Sequence, residues 1–257
     1  MWHLIKAYFS FIVKSTNQHD VHSPFVYDLV TKCFYNNKKQ EAYTTLSAYK
    51  NQLLDNHDHI KVSDFGAGSR VFKSDKRKVS AIAKNAGISL KRGQLLNRLV
   101  KYLNATAILE LGTSVGIGTA AMAIDNKEVK ITTVEGCPET AKVAKNHFNS
   151  FHLDHIKLIN DTFENALPTL TDQIFDIVYV DGNHQKEATL RYFNQLLKHR
   201  HNNTVFIFDD IHWSAEMEAA WKTIKKHPEV SVTIDTFQWG FVFFRKEQVK
   251  EDFVIRI

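Results

Sequence analysis

Ile108-Leu109-Glu110-Leu111-Gly112-Thr113-Ser114-Val115-Gly116-Ile117-Gly118-Thr119-Ala120-Ala121-Met122 reads as a strand, a tight glycine turn and the start of a helix. The apolar run Ile108–Leu111 contains one acid, Glu110. Gly112, Gly116 and Gly118 fall in the seven residues that follow, and a small-residue, helix-forming segment comes after them. Glycine lets the backbone take positive φ and approach a ligand that a Cβ would block. This is the layout of a nucleotide-binding βα unit. The glycine pattern is short, so its weight comes from the chain around it.

Downstream, apolar strands recur and each ends on a polar residue. Lys130–Val134 ends at Glu135, Ile156–Ile159 at Asn160-Asp161, Phe175–Val180 at Asp181, and Thr204–Phe208 at Asp209-Asp210. Helices are expected between them: Pro138–Asn149, a short one near Thr162–Leu167, and one marked by Leu190, Phe193 and Leu197. Another starts at Ser214 and buries Met217, Ala220, Trp221 and Ile224. Val230–Thr236 and Trp239–Arg245, joined by a short turn, read as an antiparallel pair. Continuously apolar strands alternating with helices imply a doubly wound α/β sheet covered on both faces. In such sheets ligands sit at the carboxyl ends of the strands, where the acids listed above fall.

Upstream, Leu95, Leu96, Leu99, Val100 and Leu103 form a helical stripe. Ser23-Pro24 reads as an N-cap followed by proline at the first helical position, with a helix over 24–35. Residues 36–60 are polar, helix or loop. Val62–Arg70, with Gly66 and Gly68, imitates a second glycine loop. A charged stretch, Lys73–Lys78, follows it instead of an apolar helix, which favours a structural or acceptor-side loop.

The 257 residues suffice for one large α/β domain with an extension. A hydrophobic content of 44% and a charged content of 24% are those of ordinary globular proteins. No apolar run approaches the roughly 20 residues that span a bilayer. The apolar first 14 residues are interrupted by His3, Lys6 and Ser10 and lack a cleavage site. They read as an amphipathic helix docking on the domain or on a second copy of the chain, a homodimer, rather than as a signal peptide. Cys33 and Cys137 form no metal or redox motif, which fits a cytoplasmic setting. The net charge of +5 is compatible with an anionic partner, RNA included, although the lysines are scattered.

Several side chains at the strand ends have chemistry to offer. Glu135, 25 positions after Glu110, is placed to accept hydrogen bonds from both ribose hydroxyls of a nucleoside cofactor. Asp161 is placed either to accept from an adenine amino group or, with Thr162, to cap a helix. Asp181, Asp209 and Asp210 would repel one another unless protonated or bound to a cation such as Mg²⁺. His184, in Asp181-Gly182-Asn183-His184, is a general-base candidate. His212, Trp213 and Trp239 are expected to wall an acceptor pocket.

These segments resemble the class I S-adenosylmethionine-dependent methyltransferases, and among them the metal-dependent catechol and caffeoyl-CoA O-methyltransferase group. The carriers are Leu109–Gly116, Thr133-Val134-Glu135, Asp176–His184 and Phe208-Asp209-Asp210. The resemblance implies a methyltransferase domain over residues 91–257, preceded by a mainly helical extension, 1–90, that caps the acceptor side. It implies a Rossmann-like sheet of seven strands, in the order 3-2-1-4-5-7-6 counted from Ala107, with the last strand antiparallel. It implies S-adenosylmethionine as cofactor. Glu110, Gly112, Thr113, Ser114, Gly116, Gly118 and Thr119 would surround its methionine part. Glu135 and Gly136 would hold the ribose, Asp161 and Thr162 would meet the adenine, and Asp181 would lie beside the reacting methyl. Asp181, Asp209 and Asp210 match the group's metal ligands, with Asp210 in place of the usual asparagine. His184 stands at the position of its catalytic lysine.

The expected reaction is O-methylation of a small hydroxylated acceptor, assisted by Mg²⁺ or another divalent cation. Three other readings stay open: methylation of tRNA or other RNA on the same fold, a nicotinamide (NAD) oxidoreductase, and a non-catalytic binding protein. The wider glycine spacing of Gly112–Gly118 argues against the nicotinamide reading.

Overall fold

The computed structural model describes residues 2–63, 65–66 and 74–257. Of the imitation glycine loop Val62–Arg70, therefore, Asp64 and 67–70 lie outside the described residues. The strands, in chain order, are β1 (His59–Lys61), β2 (Lys76–Lys78), β3 (Ala107–Leu111), β4 (Lys130–Val134) and β5 (Ile156–Ile159), then β6 (Phe175–Val180), β7 (Arg200–Asp209), β8 (Val232–Asp235), β9 (Trp239–Phe243) and β10 (Glu251–Val254).

β1 and β2 form a separate antiparallel pair. The main sheet has eight strands among the described residues, in the order β5-β4-β3-β6-β7-β9-β8-β10. The expected seven-stranded sheet in the order 3-2-1-4-5-7-6 is thereby corrected. The last strand in the chain is β10, and it runs parallel to β8, whereas β9 is antiparallel to both β7 and β8. β10 escapes a sequence reading because it lies at the sheet edge. Of its four residues only Phe253 is buried, and Glu251 and Asp252 look like a solvated tail. The β1–β2 pair escapes for a related reason, since Lys61, Lys76, Arg77 and Lys78 carry no apolar alternation.

The chain divides into two compact units. One is Asn37–Thr171. In it β3 pairs with β4 in parallel from Ala107↔Lys130 to Leu111↔Val134, and β4 pairs with β5 from Ile131↔Ile156 to Val134↔Ile159. Both β3 and β4 are buried along almost their whole length, as their unbroken apolar character requires. The helix Leu90–Tyr102 is capped by Ser89, whose hydroxyl accepts from the Arg92 N–H, and it buries Leu95, Leu96, Leu99 and Val100. Within it Asn97 donates to the carbonyls of Ala121 and Ile124, tying it to the helix that follows β3. The helix Glu41–Asp55, in a stretch that reads as polar, buries Leu46, Tyr49 and Leu53.

The other unit joins the N-terminal segment up to Asn36 to Asp172–Ile257. Ser23 caps Pro24–Leu29 as its sequence predicts. The chain then passes into a π-helical turn, Val30–Phe34, closed by the Tyr35 N–H on the Val30 carbonyl. The first helix, Trp2–Lys14, buries Ala7 and Phe11, and Tyr8 and Phe11 pack on the Phe237 ring. β6 and β7 pair in parallel through Val180↔Phe208, and the antiparallel β9 continues from β7. Among the described residues, no helix is long and apolar enough to cross a membrane.

Candidate functional site

The unit Asn37–Thr171 builds a site where β3 and β4 end. After Leu111 the chain turns through Gly112 at φ +106°, Ser114 at +49° and Gly116 at +83°, then enters the helix Ile117–Ala123. Gly116 is required twice over. Its φ is left-handed, and a Cβ there would meet the Phe148 ring at 2.6 Å and the Tyr49 hydroxyl at 2.7 Å. Tyr49 is fully buried, and its hydroxyl donates to the Val115 carbonyl at 3.3 Å. A helix from the polar-looking region therefore props the glycine turn from beneath. Only the spacing of Leu46, Tyr49 and Leu53 hinted at this.

Glu135 closes the turn from the neighbouring strand. Its carboxylate accepts from the Ser114 N–H at 2.7 Å and the Cys137 N–H at 2.9 Å. Burial raises this carboxyl above its usual range, while the Cys137 and Ser114 N–H groups pull it back down. Asn160, at the end of β5, donates to the Glu135 carbonyl at 2.7 Å. Three consecutive strand ends thus share one hydrogen-bonded cluster around this acid.

Glu110 sits deeper. It is 1% exposed and accepts from Thr133 at 2.6 Å and from Thr119. Thr113 and Thr133 share a hydrogen bond of 2.6 Å. With Thr133 donating to Glu110, Thr113 donates to Thr133, so a three-membered relay runs from the glycine turn to the buried acid. Burial raises the Glu110 carboxyl to about 7, against the opposing hydrogen bonds of Thr119 and Thr133, and the charge of Glu135 adds to the rise. Thr119 and Gly118 are buried in the helix, so their visible work is packing and holding Glu110. Asp161 accepts from the Thr162 N–H at 2.7 Å and from Asn165 Nδ2 at 2.9 Å, while the Thr162 hydroxyl caps Phe163–Ala166. Of the two roles open to Asp161 and Thr162, these bonds display the capping one. Gly136 lies against the Phe65 ring.

The other unit holds the remaining candidates. Tyr179 is buried and packs edge-on against Trp239; its hydroxyl donates to Asp181 Oδ2 at 2.9 Å. His184 Nε2 stands 3.8 Å from Asp181 Oδ1. Asn183, between them, has φ +61° and donates to the Tyr192 hydroxyl at 2.9 Å, which fixes the loop that carries His184. Asp209 is 6% exposed, and Asp210 follows it at φ +53°. Val180 and Phe208 are register partners. Even so, no group of three or more His, Cys, Asp or Glu side chains is gathered for a metal among the described residues.

Of the expected aromatic wall, Trp239 is placed in the interior. Trp239 is 1% exposed, a core residue against Tyr179 and Phe241. His212 pairs with Asp235 at 2.8 Å and stacks on Phe237. Trp239 is buried with the whole of its strand, which is paired on both sides.

With this geometry in view, comparison with known proteins places the domain. Residues 109–211 match a methyltransferase domain family. The chain is 26% identical over 126 residues to the catechol O-methyltransferase of Mycobacterium tuberculosis, a match covering 48% of this chain and 56% of that protein. The chain thus spans about half the length of the curated relatives it matches. The S-adenosylhomocysteine-bound methyltransferase of Podospora anserina superposes with a TM-score of 0.61 at 16% identity, covering 88% of this chain and 97% of that one. The O-methyltransferase TomG of Streptomyces achromogenes, in complex with S-adenosylmethionine, gives 0.57 at 18% identity over 90% and 99%. Residues 109–211 thus carry the match to a methyltransferase domain, and the chain is similar there to O-methyltransferases.

Proposed function

We propose that this chain transfers a methyl group from S-adenosylmethionine to the hydroxyl oxygen of a small acceptor. The observation that carries the reading is Glu135. It is a carboxylate at the end of β4, fixed by two backbone N–H groups beside the glycine turn. A nucleoside with two vicinal hydroxyls is what such an acid can hold. The names of the relatives, a catechol O-methyltransferase and a structure in complex with S-adenosylmethionine, support the same cofactor and the same kind of acceptor atom.

Bound there, S-adenosylmethionine supplies a sulfonium methyl already activated for transfer to an oxygen. The residues have three tasks. Glu135 binds the ribose, and the turn Gly112–Gly118, with Thr113 and Ser114, positions the methionine part. The His184 imidazole, close to Asp181 with Nε2 3.8 Å from Oδ1, takes the acceptor's hydroxyl proton. Tyr179, through its bond to Asp181 Oδ2, holds that carboxylate in one rotamer. A divalent cation is given no step in this reading. Residues 1–90 are proposed to cover the acceptor.

Calorimetric titration with S-adenosylmethionine, with NAD⁺ as control, tests the reading. Micromolar binding of S-adenosylmethionine alone is expected. In methyl-transfer assays over a panel of catechols and phenols, Asp181→Ala should abolish turnover while cofactor affinity changes by less than about threefold, roughly 0.65 kcal/mol. Binding of NAD⁺ in preference, or full turnover by Asp181→Ala, would overturn it.

A further inference from the structure

Phe65 is a large apolar side chain that is 57% exposed. It lies in the stretch that imitates a glycine loop, and the structure gives it a definite neighbour. A Cβ at Gly136 would lie 2.8 Å from Phe65 Cδ2 and 3.0 Å from Cε2. The ring thus rests on the backbone of the residue directly after Glu135, in a space that exists because residue 136 is glycine.

The placement is anchored. β1 ends at Lys61, whose carbonyl accepts from the buried Cys137 thiol at 3.6 Å. The Ser63 N–H in turn points at Cys137 Sγ at 3.4 Å. Cys137 is also the residue whose N–H holds the Glu135 carboxylate. Val62 is tied to the β1–β2 pair through its N–H on the Asp75 carbonyl at 2.8 Å. The same short segment, 135–137, therefore fixes both the acid and, two residues beyond Ser63, the ring.

A hydroxyl-accepting carboxylate beside an exposed aromatic ring is a pairing suited to a nucleoside, which offers a polar sugar edge and a flat apolar base. We propose that Phe65 is a cofactor-binding residue, whose ring stacks on the adenosine part of the ligand that Glu135 holds by its ribose. The assignment rests on the cofactor reading above. It gives residues 59–63 and 65–66 of the extension a place in the wall of the nucleoside site as well. It also accounts for Gly136, where any side chain would displace the ring.

The test is calorimetric titration of the full chain with S-adenosylhomocysteine, for the wild type and for Phe65→Ala, Phe65→Leu and Phe65→Tyr. Phe65→Ala is expected to raise Kd about tenfold, equal to about 1.4 kcal/mol. Phe65→Tyr, which keeps the ring, should stay within about twofold of wild type. Phe65→Leu, which keeps apolar bulk without a π face, should fall with the alanine variant. The same ordering is expected with adenosine as ligand, because the contact is with the base. Unchanged or tighter binding by Phe65→Ala would overturn the proposal, as would full rescue by leucine. Failure of the wild type to bind S-adenosylhomocysteine at all would instead remove the cofactor reading on which the proposal rests.

Discussion

Replacing Glu110 with glutamine should change how stability depends on pH, in a direction and by an amount that the structure fixes. Glu110 is 1% exposed, and burial lifts its carboxyl from 4.5 to about 7. In the unfolded chain the same group titrates near its ordinary value. Between about pH 4.5 and 7 the folded protein therefore holds a proton that the unfolded chain has released. Under this condition stability falls as pH rises, by about 1.4 kcal/mol per pH unit. Glu110's part is fully favourable below pH 4.5 and is lost by about pH 7, a total of about 3 kcal/mol. Glutamine matches the neutral carboxyl in shape and can still accept from Thr119 and Thr133. Urea unfolding of ligand-free wild type and Glu110→Gln should thus give similar stabilities near pH 5. By pH 8 the variant should be the more stable by about 2–3 kcal/mol. Parallel profiles, with the difference between the two proteins constant across this range, would refute the idea that burial governs this carboxyl.

Two further substitutions probe the same cluster. Glu135→Ala removes the acceptor for the Ser114 and Cys137 N–H groups and the proposed ribose anchor; S-adenosylhomocysteine binding should weaken by about 1–3 kcal/mol in calorimetry. An unaltered Kd would show that Glu135 does not hold the ligand. Gly116→Ala should destabilise the fold by about 1–3 kcal/mol in urea unfolding, since it forces φ +83° on a residue with a Cβ and drives that atom into Phe148 and Tyr49. In Tyr49→Phe the hydroxyl that crowds this Cβ is absent, so the same glycine change should cost less there; equal costs in the two backgrounds would show that Tyr49 does not constrain the turn.

Much of the central sheet is legible in the chain because its strands are buried on both faces and must read as unbroken apolar runs, as Ile108–Leu111 and Ile177–Val180 do. The position of Glu135 at the end of β4 follows from the same reading. β10 is hidden because an edge strand with one buried residue carries too little apolar signal. β1 and β2 are hidden because their lysines and arginine are solvated. Trp239 looks like a pocket residue in the sequence, since aromatic side chains serve both roles; only the packing of Tyr179 and Phe241 around it decides for the core.

The βα alternation, the glycine turn, the acids at the strand ends and the Ser23 cap are all written in the order of the residues. Each of these depends on neighbours a few residues away or on a simple period of burial. Packing of distant segments brought in the eighth strand, the withdrawal of Glu110 into a threonine-lined interior, and the arrival of Tyr49 and Phe65 at the turn. Those contacts join positions 66 and 71 residues apart, Tyr49 to Val115 and Phe65 to Gly136. No local pattern encodes them, because the free energy of such contacts is realised only after the intervening elements have packed.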